Sequence, residues 1–301
     1  MNVFLALTFS GIALGAVYFL AASGLSLIYG LMDILNFAHG LFMTLGAYVA
    51  WDVASHLPAS WGAPLLFVIA LVASILGGAL AAGLTEVIII RPLYGRPIGQ
   101  ILVTIGLDLA VVGLLLGGFG SNSLSVPVPL WLIEASHVGG LSLPNSDFVA
   151  LVAGVIVLVS LELFLRQTRY GITIRAGVEN RDMVSALGIN VGRAFTLVFV
   201  IGGAMAGLAG LLYAVVFSGD LISPTQGDSL LIFAFIVVVI GGLGSIRGSA
   251  VAALIVGLVQ DYANFYLGSH PGMAEIGNLS VVLLLALVLE WRPRGLFGST
   301  L

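Results

Sequence analysis

Nine apolar stretches of membrane-crossing length run through this chain, at residues 4–29, 34–54, 63–90, 99–119, 148–165, 194–217, 229–244, 249–267 and 275–291. A hydrocarbon core ~30 Å thick takes about 20 apolar residues as a helix, or strands of about 10 alternating residues. The runs match helices and are too long and too uniformly apolar for a barrel. With 60% hydrophobic and only 8% charged residues, the chain lacks the polar groups to cover a water-facing surface; about 25% charged is usual for a soluble domain. Forty glycines agree with helices packed backbone to backbone. The expected fold is an all-α polytopic membrane protein with about 8–9 transmembrane helices, some of them broken, forming one domain over residues 1–301. Met1 to Val3 offers no basic n-region, so a cleaved signal peptide is not expected. The absence of cysteine excludes disulfides and thiolate metal sites, and the four histidines are too scattered to hold a metal.

The charged residues give the orientation. All ten positive side chains are arginines. Arg91 and Arg96 follow the third stretch, and Arg166, Arg169, Arg175, Arg181 and Arg193 crowd one polar segment. Arg247 lies between two later stretches, and Arg292 and Arg294 close the chain. Nine crossings place every one of them on a single side. The alternate segments carry Glu134, Asp147, Asp220, Asp228 and Glu275 instead. Cationic loops stay in the cytoplasm, so the N-terminus is expected outside and the C-terminus inside. Residues 120–147 then form the largest external piece. Gly120, Pro127, Pro129, Gly139, Gly140 and Pro144 interrupt it, which argues against long helices there. Trp131 and Leu132 suit packing on the membrane face or on an external partner.

Two apolar stretches are interrupted. Gly30 to Gly40 reads GLMDILNFAHG, and Gly241 to Gly248 reads GGLGSIRG. Irregular backbone at membrane depth must be buried in protein or line a wet cavity, and paired breaks in two halves of a transporter point to its pathway. Both segments can equally be short turns between helices. Asn36 and His39 share a face if they are helical, where they would bond a neighbouring helix or touch a substrate. Gly241, Gly242 and Gly244 would leave backbone open at the second break. Asp108 lies near the centre of its stretch, with Thr104 one turn earlier. A carboxylate there must face a cavity or a partner helix, which makes it either a pathway residue or a hydrogen-bonded packing residue. Glu86 and Glu162 are placed to pair with Arg91 and Arg166. Gly11 with Gly15, and Gly203 with Gly207, allow close helix crossings, within the chain or with a second one.

The segment 166–193 carries the strongest functional pattern. Asn180 can cap a short helix whose first turn holds Asp182. Met183 and Leu187 fall four apart on one face beside Val184 and Ala186, and Gly188 ends the helix as a C′ glycine does. Such a helix either lies on lipid headgroups or forms a knob for a groove on a soluble protein.

This segment, with Ala176, Glu179, Asn180, Ala186, Leu187, Gly188 and Ile189, resembles the coupling loop of the branched-chain amino-acid permeases of ATP-binding-cassette importers. Asn36-Phe37-Ala38-His39-Gly40 is similar to that family's N-terminal signature. Gly241-Gly242-Leu243-Gly244-Ser245 with Gly248 is similar to its C-terminal one. The length resembles the smaller of the family's two permease subunits. The resemblance implies an importer permease domain over 1–301 in a bacterial inner membrane. It also implies a second permease, homologous or identical, two cytoplasmic ATPases and a periplasmic binding protein. Glu179, Asn180, Met183, Ala186, Leu187 and Gly188 would couple to the ATPase. Asn36, His39, Asp108, Gly241, Gly242 and Gly244 would lie along the pathway. A Walker A loop needs a lysine for the nucleotide phosphates, and the chain has none. ATP therefore belongs on partner subunits, and the chain is expected to bind no cofactor and to catalyse no reaction alone. Nucleic-acid binding has no basis. The family also includes permeases for urea, short amides and aromatic acids. The rival class is a stand-alone channel or secondary transporter, which would not need the segment 166–193.

Overall fold

The computed structural model describes residues 2–33, 35–138, 140–179, 191–268 and 275–298. Eleven α-helices make up most of them. The first seven are α1 (Asn2–Met32), α2 (His39–His56), α3 (Ala63–Leu84), α4 (Pro97–Phe119), α5 (Leu130–Ile133), α6 (Asn145–Gln167) and α7 (Arg169–Glu179). The last four are α8 (Val191–Phe217), α9 (Gln226–Gly241), α10 (Ile246–Leu267) and α11 (Ile276–Trp291). Two small antiparallel ribbons join them. β1 (Leu124–Ser125) pairs with β4 (Leu221–Ile222), and β2 (Ala135–Val138) with β3 (Leu141–Pro144).

Among the described residues, six helical segments are long and apolar enough to cross a membrane: 3–32, 63–93, 97–119, 145–167, 192–217 and 246–267. The helices over 226–241 and 276–291 are apolar but shorter. The stretch expected at 34–54 is not one continuous span. Residues 35–38 are non-helical, and α2 runs on to His56, where it carries the exposed pair Asp52 and His56. Residues 120–147 hold β1, α5 and the β2–β3 hairpin and no long helix before α6 begins at Asn145, in keeping with their glycines and prolines. Leu132 is buried within the chain, while Trp131 stays half exposed.

α1 and α8 form the centre. α1 packs on α10, α8, α6 and α9, and α8 packs on α3, α1 and α2. Both glycine pairs are used within the chain. Gly11 and Gly15 of α1 face Leu258 and Ala253 of α10, and Gly207 and Gly203 of α8 face Ser74 and Gly78 of α3. In each case the lower number on one helix meets the higher on the other, so both crossings are antiparallel. Gly24 of α1 against Gly202 of α8 brings the two central helices together. Small residues gain dispersion contact where side chains would hold the backbones apart. The outer faces of α4 and α6 expose Leu102, Leu109, Leu114, Val155 and Ile156, an apolar belt that water would not tolerate and lipid or a partner helix would.

The order of elements repeats. A long helix (α1), a break (33–38), a short helix (α2) and a long helix (α3) are matched by α8, a break at 218–225, α9 and α10. The packing is reciprocal: α1 lies on α10, the last helix of the other half, and α8 lies on α3. The counterpart of the first break is therefore 218–225. The pairing of 30–40 with 241–248 expected from the sequence is corrected, because 241–248 is the turn that joins α9 to α10.

Candidate functional site: the mouths of two short helices

The first break begins where α1 ends. Asp33 adopts φ 54°, which turns the chain back, and its N–H donates to Tyr29 O at 2.8 Å. Asn36 precedes the helix, so it and His39 do not share a helical face as the spacing suggested. Instead Asn36 Oδ1 accepts the Ala38 N–H at 3.1 Å and its carbonyl accepts the His39 N–H at 3.3 Å. This Asx-type turn organises the first turn of α2. Asn36 is fully buried and its Nδ2 has no partner. His39 is fully buried too, with Nε2 3.0 Å from Ala21 O of α1 and Nδ1 without a partner. Gly24 leaves the room for this ring, since a Cβ there would lie 3.0 Å from His39 Cε1. The edge of the ring faces Phe42.

The second short helix starts against the first. A Cβ on Gly40 would lie 2.9 Å from Gly227 O, and a Cβ on Gly227 would run into Gly40 O. The Gly227 N–H donates to Thr44 Oγ1 at 3.1 Å. Gln226 Oε1 accepts the Ser223 N–H and its Nε2 donates to Gly210 O of α8, both at 3.3 Å. Asp108 reaches this junction from α4. It lies near Asp228 in the first turn of α9 and near Leu41 in the first turn of α2, within reach of their electrostatic influence. The structure thus brings together Asn36, His39 and Asp108 around the starts of α2 and α9. Asp228 completes the group, and sequence reasoning assigned it to an external loop. Its signal was present: Pro224, Thr225, Gly227 and Asp228 at the head of an apolar run form a helix-start pattern.

Gly241, Gly242 and Gly244 lie elsewhere. Gly242 (φ 101°) and Gly244 (φ 79°) form a tight turn that few other residues could adopt. Ser245 Oγ caps α10 by accepting the Gly248 N–H at 3.1 Å. Leu296 and Phe297 donate their N–H groups to Ile240 O and Gly241 O, at 2.7 and 3.0 Å, so the C-terminal tail covers the turn. These glycines stand apart from the α2–α9 junction, and Gly244 instead packs on Gly30 at the end of α1.

That end of the molecule gathers arginines. Glu162 of α6 pairs with Arg166, as expected, and also with Arg247 of α10. A cavity of about 340 Å³ lies beside them, lined by Ser26, Gly30, Glu162, Ile174, Gly244 and Arg247. Ile174 of α7 is buried against the bundle, which ties the start of the arginine-rich segment to α1 and α6. Glu86 is fully buried and meets Arg91 at 3.8 Å, as expected, but Tyr94 and Thr196 hold it more closely through their hydroxyls. Burial and the adjoining Glu86 push the Tyr94 hydroxyl well above the ordinary phenol range. Of the coupling candidates, Glu179 ends α7. Asn180, Met183, Ala186, Leu187 and Gly188 lie outside the described residues. At the opposite end Ser10 donates to Asp147 at 2.7 Å, and Thr8 meets Tyr262 at 2.8 Å. Asp147 is therefore a buried partner at the head of α6 and not a loop charge.

Comparison with known proteins bears on this arrangement. The permease LivH of the high-affinity branched-chain amino acid transport system of Salmonella typhimurium is 30% identical, over 98% of this chain and 96% of the relative. The permease BraD of the corresponding system of Pseudomonas aeruginosa is 30% identical, over 96% and 94%. The permease LivM of Escherichia coli is 28% identical, over 94% of this chain and 68% of the relative. No solved structure matches the chain. Residues 7–289 match the family model described as branched-chain amino acid transport system / permease component. A match of that extent over a multi-pass helical bundle shows that this chain belongs to the branched-chain amino acid transport permease family.

Proposed function

We propose that the chain is a permease subunit of an ATP-binding-cassette importer for branched-chain or related hydrophobic amino acids. The observation that carries this reading is end-to-end similarity, at 30% identity, to permeases of the LivH and BraD kind. The weaker match to LivM supports a homologous second permease as partner. Two cytoplasmic ATPases and a periplasmic binding protein complete the assembly, and ATP is hydrolysed on the partners. The arginine-rich end faces the cytoplasm, with the N-terminus outside and the C-terminus inside the bacterial inner membrane. The segment 166–193 receives the ATPase. Packing of α7 on α1 and α6 supports transmission of ATPase closure as a rigid-body shift of helices. Substrate passes beside the starts of α2 and α9.

The test is co-purification of the tagged chain from its own host in mild detergent, followed by uptake of labelled leucine in proteoliposomes. A nucleotide-binding protein and a second permease should accompany it, and uptake should require ATP. Uptake by the chain alone without ATP would sink the reading. Ala186→Glu, on the proposed knob, is expected to uncouple hydrolysis from uptake, and normal uptake in that variant would reassign the docking site.

A further inference from the structure

We infer that the cavity between α1, α6, α7 and α10, at the arginine-rich end, takes the phosphate group of an anionic phospholipid.

The first observation is charge. Arg166 Nε lies 2.5 Å from Glu162 Oε1, and Arg247 Nη2 donates to the same oxygen. Two guanidinium groups share one carboxylate, so the cluster keeps one positive charge unmatched. Glu162 and Arg247 both line the cavity.

The second is a hydroxyl left over. A serine inside an apolar helix ordinarily turns its hydroxyl back on a carbonyl of the preceding turn, as Ser23 and Ser74 do with Leu20 O and Leu71 O. Ser26 lines the cavity from α1, on the same face as Gly30 one turn later. It is fully buried, and its Oγ has no partner. The third is the head of α10, where Ile246 and Arg247 line the same space. Ser245 Oγ accepts the Gly248 N–H at 3.1 Å, which leaves the N–H groups of Ile246 and Arg247 without an acceptor inside the helix. A phosphate offers one negative charge and several acceptor oxygens, and so answers the guanidinium, the hydroxyl and the helix head together.

The remaining wall and the depth of the site favour a lipid as the source. Leu27, Leu165, Ile174 and Phe297 make most of the cavity apolar. Its mouth lies where two membrane-crossing segments have their ends, at Gln167 beside Arg166 and at Ile246 beside Arg247. That is the headgroup level of the bilayer those segments cross, where a basic pocket between helices holds an anionic headgroup. The side chains of Arg166 and Arg247 are more than half exposed, so a headgroup reaches them without any helix moving. A zwitterionic headgroup brings its own ammonium and leaves the cluster's charge unmatched.

The test is native mass spectrometry of the full chain, with the subunits that co-purify, in detergent micelles titrated with phosphatidylglycerol or phosphatidylcholine. Phosphatidylglycerol should bind about fivefold more tightly than phosphatidylcholine. Arg247→Gln should weaken phosphatidylglycerol about fivefold and remove the preference, while Glu162→Gln should strengthen it about fivefold by releasing both arginines. Ser26→Ala should weaken it about threefold, the share of one neutral hydrogen bond. Damage to the fold would weaken binding in every variant, so the opposite signs at Arg247 and Glu162 identify an anion site. Equal binding of the two lipids, or binding that neither Arg247→Gln nor Glu162→Gln alters, overturns the inference. Displacement of phosphatidylglycerol by inorganic phosphate, but not by chloride at equal ionic strength, would make this a site for free phosphate and overturn the lipid assignment.

Discussion

The two halves of the molecule share a frame and divide the chemistry. In the first, α1 leads through residues 33–38 to α2, and the break leaves Asn36 Nδ2 and His39 Nδ1 buried without partners. In the second, α8 leads through residues 218–225 to α9, and the polar groups are met. β4 pairs with β1, Asp220 O accepts the Val126 N–H at 2.9 Å, and both ends of the Gln226 amide are bonded. Buried polar atoms are nearly always satisfied unless they have another task. The second break is built to hold still. The first is built with spare hydrogen-bonding capacity, and Asp108 lies near the starts of the helices that follow both breaks. A duplicated frame can keep one copy as scaffold and let the other take up function.

The glycine crossings allow the frame itself to be broken unequally. At α8 on α3, a Cβ on Gly207 would run into the backbone oxygen of Ser74. At α1 on α10, a Cβ on Gly11 would lie 3.1 Å from Leu258, partly against a side chain that can shift. Gly207→Ala should therefore cost about 3 kcal/mol, at the upper end of overpacking, and Gly11→Ala about 1 kcal/mol or less. Thermal unfolding in detergent measures both. Equal losses would mean that the two halves are mechanically equivalent.

Thr44 is the link between the halves at the proposed path. Thr44→Val keeps the shape and removes the hydroxyl that accepts the Gly227 N–H. A buried donor left unpaired costs about 1–3 kcal/mol, and Thr44→Ser should restore most of it. If Thr44→Val is as stable as the parent, α2 and α9 are held by their glycine contact alone.

The Glu162 cluster ties the halves at the arginine-rich end, through Arg166 of α6 and Arg247 of α10. All three side chains are partly exposed, so Glu162→Gln should cost at most about 1 kcal/mol. The loss should shrink as salt is raised. A loss that is insensitive to salt would show that the packing of α6 on α10, and not charge, is what the substitution disturbs.

The sequence revealed most of the helices because apolar length acts directly on membrane insertion. It also revealed Asp108 as a residue in need of a partner, and the Glu86–Arg91 and Glu162–Arg166 pairs from spacing alone. Asp228 was hidden because a carboxylate at the head of a short helix reads, in one dimension, like a loop charge. The repeat was mispaired for a related reason. The glycine-rich run at 241–248 looks like a break at depth, whereas the real counterpart, 218–225, shares no motif with 33–38 and is recognised only from where α9 begins. His39 kept both its readings until Ala21 O and Gly24 showed the ring to be seated inside the bundle, bonded by one nitrogen and free at the other.

Asp220 supplies the smallest and most specific test of the second break as scaffold. It sits outside the spans with φ 65°, a conformation that asparagine and glycine adopt more readily than most residues. Burial pushes its carboxyl above the ordinary aspartate value. The folded state thus binds this proton more tightly than the unfolded chain does. By linkage, the group favours folding once the pH falls through the raised value, and opposes folding at neutral pH where it must be charged. Asp220→Asn removes the charge and keeps the left-handed turn, so it should raise stability slightly at pH 7, and the gain should vanish at about pH 2, well below the ordinary aspartate value of about 3.9. Thermal unfolding of the two proteins across that range measures the crossover. A variant less stable at pH 7 would mean that the Asp220 carboxylate makes a contact that holds the β1–β4 ribbon, and the second break would then share the first one's dependence on a charged group.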